Sequence, residues 1–248
     1  MASKVYGRPS SLNEKQFTYC PGCGHGVCNR LLAEVIDELE IVGKTIGVSY
    51  VGCGGMLYDF FNIDFAFPLH GRAPATATGI KRVRPDKIVF SYQGDGDLAA
   101  IGAAEIIHAA TRGENLTALF INNGIYGMTG GQMAPTTLIG QRASTCIDGR
   151  DPSYHGRPIR MSEMIAQCDG ACYVERVSID SPKNISVAKK AIKKAFQNQI
   201  DGKGFSLVEI ISPCPIGWNL SPNDAYKRIT EEVLGFYKLN VFKDTTSK

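Results

Sequence analysis

The sequence has no long apolar run and almost no net charge. It contains no uninterrupted run of the roughly eighteen apolar residues that a membrane-spanning helix needs. Residues 1–9, MASKVYGRP, lack the apolar core of a secretion signal. We therefore expect a cytoplasmic protein with no membrane partner. The net charge is only +3, and no basic arm or RNA-binding aromatic pattern is present, which argues against nucleic acid as a partner.

Cysteine is too scarce for a disulfide scaffold and too abundant for an ordinary cytoplasmic chain. The sequence has eight cysteines in 248 residues. In a reducing compartment, such cysteines point to metal binding rather than to disulfides. With 44% hydrophobic residues the chain can bury a large core, so we predict a single domain over residues 1–248.

The hydrophobic pattern alternates between strand and helix signals. Apolar runs rich in β-branched residues predict buried strands at residues 45–51, 87–92, 116–121 and 205–211. Amphipathic patterns predict helices at about 26–39, 98–112, 181–199 and 224–237. The predicted fold class is α/β, a doubly wound, mainly parallel sheet with helices on both faces. Ligands of such sheets bind at the carboxyl ends of the strands.

Other segments carry weaker signals. We expect residues up to about 21 to form an arm on the surface, and the polar tail after Phe242 to be disordered. Residues 124–158 form a loop too long to be a mere connection, and such loops usually carry function. Cys168 and Cys172 are four residues apart, which we interpret as core positions on a helix.

Two short polar motifs follow two of the predicted strands. Residues 94–97 read GDGD and residues 122–124 read NNG. Asp95 and Asn123 are therefore expected at one edge of the sheet, where the first motif's glycines let backbone approach an anion. A carboxylate, an amide oxygen and the Ile125 carbonyl suit Mg²⁺, with diphosphate and water completing its coordination. Either motif alone would be interpreted as a turn.

The cysteines form a second candidate site. Residues 20–26 read CPGCGHG, a spacing that suits zinc and iron–sulfur clusters alike. Cys53 and Cys214 lie in glycine- or proline-bounded loops at strand ends. Three loops at one edge of the sheet could therefore bring four thiolates together. The spacing leaves both metals open and slightly favours the cluster.

Taken together, these motifs resemble the β subunit of the 2-oxoacid:ferredoxin oxidoreductases. The resemblance covers almost the whole chain, and the motifs occur in the family's order: YCPGCGHG at 19–26, Cys53, LHGRA at 69–73, GDGD at 94–97, NN at 122–123, YGMTGGQ at 126–132 and Cys214. The chain most resembles the multi-subunit enzymes that act on 2-oxoisovalerate or 2-oxoglutarate. Some single-chain pyruvate enzymes have Thr where this chain has Asn123, and Asn where it has Met128.

The resemblance implies three cofactors. Thiamine diphosphate would be anchored through Mg²⁺ by Asp95, the Asn123 side chain and the Ile125 carbonyl. A 4Fe–4S cluster would be held by four cysteines: Cys20, Cys23, Cys53 and Cys214. By the same resemblance His70 is a candidate catalytic residue. The expected cofactor contacts are His25, Cys53, His70, Gly71, Gly94, Asp95, Gly96, Asp97, Asn123, Ile125, Tyr126, Gly127 and Met128.

The implied reaction is the oxidative decarboxylation of a 2-oxo acid to an acyl-CoA, with ferredoxin as electron acceptor. The glutamate that activates the thiamine pyrimidine has no recognisable counterpart here, so we expect an α subunit to supply it. By the resemblance γ and ferredoxin-like δ subunits are expected too. We expect Arg72 to pair with a phosphate or an interface carboxylate. Two alternatives remain open: a non-oxidative thiamine-dependent decarboxylase or synthase, and a zinc-stabilised interaction module.

Overall fold

The structure is a computed structural model that describes residues 7–49 and 51–246. The predictions for residues 1–6, for Tyr50 in the first strand and for the last two residues of the tail lie outside the described residues. Within the described chain, no helix is both long and apolar enough to cross a bilayer.

A seven-stranded sheet forms the centre of the fold. Its strands are β1 (Thr45–Val48), β2 (Asp64–Ala66), β3 (Ile88–Gly94), β4 (Thr117–Asn122), β5 (Ala171–Ser178), β6 (Phe205–Ile211) and β7 (Asn240–Asp244). Their order across the sheet is β2-β1-β3-β4-β6-β5-β7. All neighbours are parallel except β5 and β7. The predicted α/β fold class with a mainly parallel sheet is confirmed.

Helices cover both faces of this sheet. They are α1 (Gly24–Glu38), α2 (Ala73–Val83), α3 (Ala103–Thr111), α4 (Pro152–His155), α5 (Met161–Ala166), α6 (Pro182–Ile200), α7 (Pro215–Trp218), α8 (Pro222–Arg228) and α9 (Leu234–Phe236). Residues of α1 and α6 share one buried core, and residues of α2, α3 and α5 share another. Successive strand residues alternate between these cores: Leu119 belongs to the first and Phe120 to the second. Each central strand is therefore buried on both sides, which explains its continuous apolar sequence.

Helix α6 begins and ends close to its predicted limits. Ser181 caps its N-terminus by accepting a hydrogen bond from the Asn184 N–H, and Pro182 occupies its first turn. Lysines on one side of this helix form ion pairs with α1. Lys189 pairs with Glu34 and Glu38 of α1. These ion pairs join the two helices on the outside of the first core.

Two helix predictions need correction. The predicted helix at 98–112 is a π-helical turn, Asp95–Ala100, followed by α3. Gly102 lies between the two. Only glycine fits at this position, because an added Cβ would lie 2.2 Å from the Asp97 carbonyl oxygen. The helical interpretation of Cys168 and Cys172 is wrong, since α5 ends at Ala166 and Cys172 lies on β5.

The described residues near both ends of the chain, from 7 and up to 246, are more ordered than their composition indicates. Leu12 of the N-terminal arm is buried and forms a bridge with Phe61. The predicted disorder after Phe242 is wrong for residues 243–246, because β7 extends to Asp244 and pairs with β5, and the next two residues are hydrogen-bonded. Charged side chains of other elements hold this strand: Lys194 pairs with Asp244, and Arg176 stacks on the Phe242 ring. Composition alone does not reveal such partners.

Candidate active site

A cavity of about 390 Å³ lies at the carboxyl ends of β1, β3 and β4. Three loops form most of its wall, at residues 51–54, 94–97 and 125–129. The lining includes every residue predicted to contact a cofactor except Gly71. Ligands of open α/β sheets bind at this edge, where the strand ends leave a crevice.

Asp95 lies buried at the bottom of this wall. Its Oδ2 accepts a 2.7 Å hydrogen bond from the Gly124 N–H and another from the Thr136 hydroxyl. Burial raises the pKa of Asp95 to about 6, although these hydrogen bonds lower it in part. A carboxylate that is costly to ionise when buried gains most from a nearby cation. Asp95 therefore has the properties of a metal ligand whose negative charge is balanced by a bound cation.

The loop after β4 is held rigidly beside Asp95. Gly124 has a φ of +68°, a conformation that favours glycine, and its carbonyl accepts hydrogen bonds from Thr137 and Gln141. The Asn123 carbonyl accepts a 2.9 Å hydrogen bond from Trp218 Nε1. These contacts leave little freedom to the segment that carries Asn123 and the Ile125 carbonyl.

A buried polar network supports the same loop from behind. Asn122 Nδ2 donates to Glu209 Oε1 at 2.7 Å. Glu209 also accepts from Arg176 Nε at 2.9 Å, and both side chains are fully buried. Ser162 Oγ donates at 2.5 Å to Glu209 Oε2, the oxygen that also accepts from Arg176. Because the charges are paired and hydrogen-bonded, the network can remain buried and fix the end of β4.

His70 and Asp97 form a second pair at the cavity lining. His70 Nδ1 lies 2.6 Å from Asp97 Oδ1, and the same oxygen accepts from the Gly71 N–H at 2.7 Å. Gly71 has a φ of +80°, and an added Cβ would lie 2.6 Å from the Ile101 carbonyl oxygen. Only glycine therefore allows this loop to approach the π-helical turn and bring His70 to Asp97.

His25 links the cavity to the cysteine loops. Its Nδ1 lies 2.8 Å from the Tyr92 hydroxyl, and its ring stacks on Tyr19. Burial lowers the pKa of His25 to about 4, so the imidazole is neutral at physiological pH. His25 thus offers a neutral hydrogen-bonding ring between the two predicted sites.

The four cysteines of the predicted cluster lie near one another. The charge of each influences that of the other three, and Cys214 also interacts with Asp95. The Gly24 N–H donates to the Pro213 carbonyl at 3.3 Å, which brings the CPGC loop to the loop after β6. Burial, followed by repulsion between the thiolates, raises the pKa of Cys23 to about 12 and that of Cys214 to about 11. Within residues 7–49 and 51–246, no three His, Cys, Asp or Glu side chains are grouped so that they could hold one metal ion.

Arg72 pairs within the chain, with Glu105 of α3. The structure therefore provides a carboxylate partner for Arg72, but on this chain rather than on another subunit. Sequence reasoning also missed Tyr92, Thr136 and Trp218. No local pattern marks these residues, because each reaches the site from a distant part of the chain.

Arg150 organises the long loop. Its guanidinium is buried and donates to backbone carbonyls of six residues: Ala134, Pro135, Thr137, His155, Gly156 and Arg157.

We expect Arg150→Met to lower the free energy of unfolding by about 2–4 kcal/mol, since it leaves buried carbonyls without donors. Urea denaturation measures this change. Arg142→Met, at an exposed position of the same loop, is the matched control and should change stability by less than about 0.5 kcal/mol. Equal stability of the two variants would contradict the assigned role.

Comparison with known proteins identifies the class of this fold and site. Residues 50–210 match the family described as thiamine pyrophosphate enzyme, C-terminal TPP binding domain. The structure is similar to 2-oxoglutarate:ferredoxin oxidoreductase from Magnetococcus marinus, solved with 2-oxoglutarate, coenzyme A and succinyl-CoA bound. The TM-score is 0.79 and the identity 26%, over 99% of this chain and 87% of that chain.

Sequence relatives narrow the class to a family. The chain is 44% identical to the ketoisovalerate oxidoreductase subunit VorA of Methanothermobacter marburgensis, over 100% of its length and 54% of that protein. It is 38% identical to the 2-oxoglutarate synthase subunit KorB of Methanocaldococcus jannaschii, over 93% of its length and 82% of that protein. The chain spans about half the length of the VorA relatives. It belongs to the thiamine-pyrophosphate-binding subunits of the 2-oxoacid:ferredoxin oxidoreductases.

Proposed function

We propose that this chain supplies the thiamine-diphosphate and iron–sulfur half of an enzyme that oxidatively decarboxylates a 2-oxo acid. Its products are an acyl-CoA, CO₂ and reduced ferredoxin. One observation carries the proposal: a single cavity is lined by the GDGD turn, the loop after β4, His25 and Cys53. Cys53 also interacts with the other three cysteines. A cofactor bound in this cavity therefore lies beside a site for an electron acceptor.

Mg²⁺ and the diphosphate fit the wall formed by the strand ends. Asp95 provides the carboxylate, Asn123 the amide oxygen and Ile125 the carbonyl, and these are ligands that Mg²⁺ prefers. Thiamine diphosphate, when bound, stabilises the negative charge left on the substrate carbon as CO₂ departs. The chain's own residues hold the diphosphate, fix the loop after β4 and exclude water from the cavity floor.

A 4Fe–4S cluster fits the four cysteines better than a single zinc ion does. In such a cluster each thiolate binds a different iron, so the four sulfurs surround a cluster instead of converging on one ion. Burial raises the pKa values of Cys23, Cys53 and Cys214, so these side chains favour the thiol form unless a cation is bound. Iron supplies the positive charge that makes thiolates stable there. The cluster would accept electrons one at a time.

The names of the relatives support two substrate classes. VorA and KorB are named for ketoisovalerate and 2-oxoglutarate. We propose that this chain serves an enzyme for one of these two acids, branched-chain or dicarboxylic. Coenzyme A and the 2-oxo acid would occupy the shared site with the cofactor.

The surface around the cavity supports the proposal that partner subunits bind there. Leu69 is 82% exposed directly before His70, and Ile101 and Met128 are more than half exposed at the cavity lining. Apolar side chains in such a position indicate a covering protein. We propose an α subunit here, carrying the glutamate that activates the pyrimidine, with γ and ferredoxin-like δ subunits in the complete enzyme.

Leu69→Asp tests this interface. We expect it to weaken association with the α subunit by about 10-fold or more, because a charge enters the centre of an apolar contact. Co-purification or calorimetric titration measures the affinity. Val83→Asp is the matched control, since Val83 is also exposed, at the end of α2 outside the cavity lining. Unchanged affinity for both variants would remove this surface from the interface.

The function itself is tested with the reconstituted complex. Anaerobically purified protein is supplied with thiamine diphosphate, Mg²⁺, coenzyme A and a panel of 2-oxo acids, and viologen reduction is followed. We expect reduction that depends on coenzyme A and prefers a branched-chain acid or 2-oxoglutarate. Bound thiamine diphosphate without iron would indicate a non-oxidative enzyme. Stoichiometric zinc without thiamine diphosphate would indicate an interaction module.

A further inference from the structure

Asp97, the last residue of the GDGD motif, is engaged by three groups of its own chain. Oδ1 lies 2.6 Å from His70 Nδ1 and 2.7 Å from the Gly71 nitrogen, and Oδ2 accepts from Gln93 Nε2 at 2.7 Å. Its side chain is only 8% exposed, whereas that of His70 is 45% exposed. The carboxylate is thus directed into the protein's own contacts, and His70 is the member of the pair that reaches the cavity space.

The donors around Asp97 determine which nitrogen of His70 carries hydrogen. The Gly71 N–H is a backbone donor, so Oδ1 acts as an acceptor. The imidazole nitrogen bound to the same oxygen must therefore be an N–H. In a neutral imidazole the other nitrogen, Nε2, then carries a lone pair. Within the described part of the chain, the hydrogen bond of His70 is made through Nδ1.

We propose that Asp97 is a positioning residue that holds His70 with Nδ1 protonated, so that Nε2 is the proton acceptor of the cofactor cavity. This deepens the proposed function and rests on it. An Asp–His pair of this kind orients the ring and stabilises the imidazolium that forms when Nε2 takes up a proton. Nε2 can therefore accept a proton from a hydroxyl or amino group of a molecule in the cavity.

The local backbone holds His70 and Asp97 close together. Gly102 and Gly71 pack against each other, because an added Cβ on Gly102 would lie 2.8 Å from the Gly71 carbonyl oxygen. The loop that carries His70 is thereby pressed against the turn that carries Asp97. The sequence predicts that Asp97 contacts the cofactor, and Asp97 does line the cavity; the proposal gives it an indirect role through His70 instead.

The tautomer is measured directly by nitrogen-15 NMR on the full chain labelled at histidine. The sequence has only four histidines, and His70→Gln identifies the signal of His70 by its loss. We expect the neutral ring of His70 to carry its hydrogen on Nδ1. Hydrogen on Nε2 in the unmodified chain would overturn the proposal. This measurement needs no cofactor or activity, so its result is independent of whether the proposed function is correct.

Two substitutions separate geometry from charge. In Asp97→Asn the amide oxygen can still accept from Gly71 and His70, while the new NH₂ faces Gln93. Gln93 Oε1 is buried and has no partner within the described chain, so this amide can rotate and accept. We expect Asp97→Asn to keep the Nδ1–H tautomer and fold normally. Asp97→Ala should release His70 to a mixture of tautomers.

Activity of the reconstituted complex provides the second readout. We expect Asp97→Ala to lower kcat by about 100-fold or more, the usual contribution of a positioned acid–base group. Asp97→Asn should lower kcat less, and the Kd for thiamine diphosphate should change by less than about 3-fold in both. Asp86→Asn, at an exposed aspartate paired with Arg84, is the matched control. Loss of thiamine diphosphate affinity in parallel with kcat would instead make Asp97 a cofactor ligand and overturn the proposal.

Discussion

Replacing Asp95 with Asn is expected to abolish tight binding of thiamine diphosphate and Mg²⁺ while stabilising the empty chain. The amide removes the charge that attracts the ion, and we expect affinity to fall by about 100-fold or more, roughly 3 kcal/mol. Its oxygen can still accept the hydrogen bonds of Gly124 and Thr136, which both reach one oxygen of Asp95. The local structure should therefore survive the change.

The gain in stability has a definite dependence on pH. Burial raises the pKa of Asp95 from 3.8 to about 6, so between these values the folded chain holds a proton that the unfolded chain has released. The free energy of unfolding of the ligand-free chain therefore falls as the pH rises through this window. Asn has no such loss, so above pH 6 the variant should be more stable by up to roughly 3 kcal/mol.

Both effects can be followed on one sample. Trp218 is the only tryptophan and donates to the Asn123 carbonyl, so its fluorescence should report cofactor binding beside Asp95. Denaturation at pH 5 and pH 8 gives the stability difference. Asp148→Asn, at an exposed position of the long loop, is the control and should change neither quantity. A variant that binds the cofactor normally would exclude Asp95 from the metal site.

Replacing Cys214 with Ser is expected to remove the proposed iron–sulfur cluster, and with it the proposed transfer of electrons to ferredoxin. Serine is a poor ligand for cluster iron, and a cluster held by the three remaining thiolates should be labile. An added Cβ at Gly127 or Gly217 would lie about 3 Å from Cys214 Sγ, so the smaller oxygen fits without strain. The fold and the cofactor cavity should therefore remain intact.

Iron and sulfide analysis, with electron paramagnetic resonance of the reduced protein, measures the loss. Thiamine diphosphate affinity should stay within about 3-fold of the unmodified chain, because Cys214 does not line the cavity. Cys168→Ser is the matched control, since Cys168 packs with the second core and is not among the cysteines that interact with Cys214. Full iron content in the Cys214 variant would exclude Cys214 as a ligand.

The sequence predicts those parts of the fold that depend on local chemistry. β6 matches its predicted limits because its mainly apolar run, which includes three β-branched residues, is buried on both faces. Helix α6 was predictable because Ser181 and Pro182 are capping signals that act on the next few residues. The position of Asp95 and of the loop after β4 followed from the rule that parallel strands end at one edge.

The parts that sequence reasoning missed depend on partners distant in the chain. β7 is polar, and only its pairing with β5 and the charge of Lys194 hold it in place. The contacts that Asp97 makes with His70, Gly71 and Gln93 were not predicted either, although the resemblance placed Asp97 among the cofactor contacts and Asp97 does line the cavity. No spacing rule links residues 70 and 97, because the contact depends on how two glycines pack.

The strand order has a consequence for biosynthesis. β6 lies between β4 and β5, although it follows both in the chain. The centre of the sheet therefore cannot close until the ribosome has released β6. Cys20 can come close to Cys214 only after that point. At roughly 5–20 residues per second, this delay is about 10–40 s. We expect iron to be inserted only after translation is almost complete, with nascent chains kept from aggregating until then.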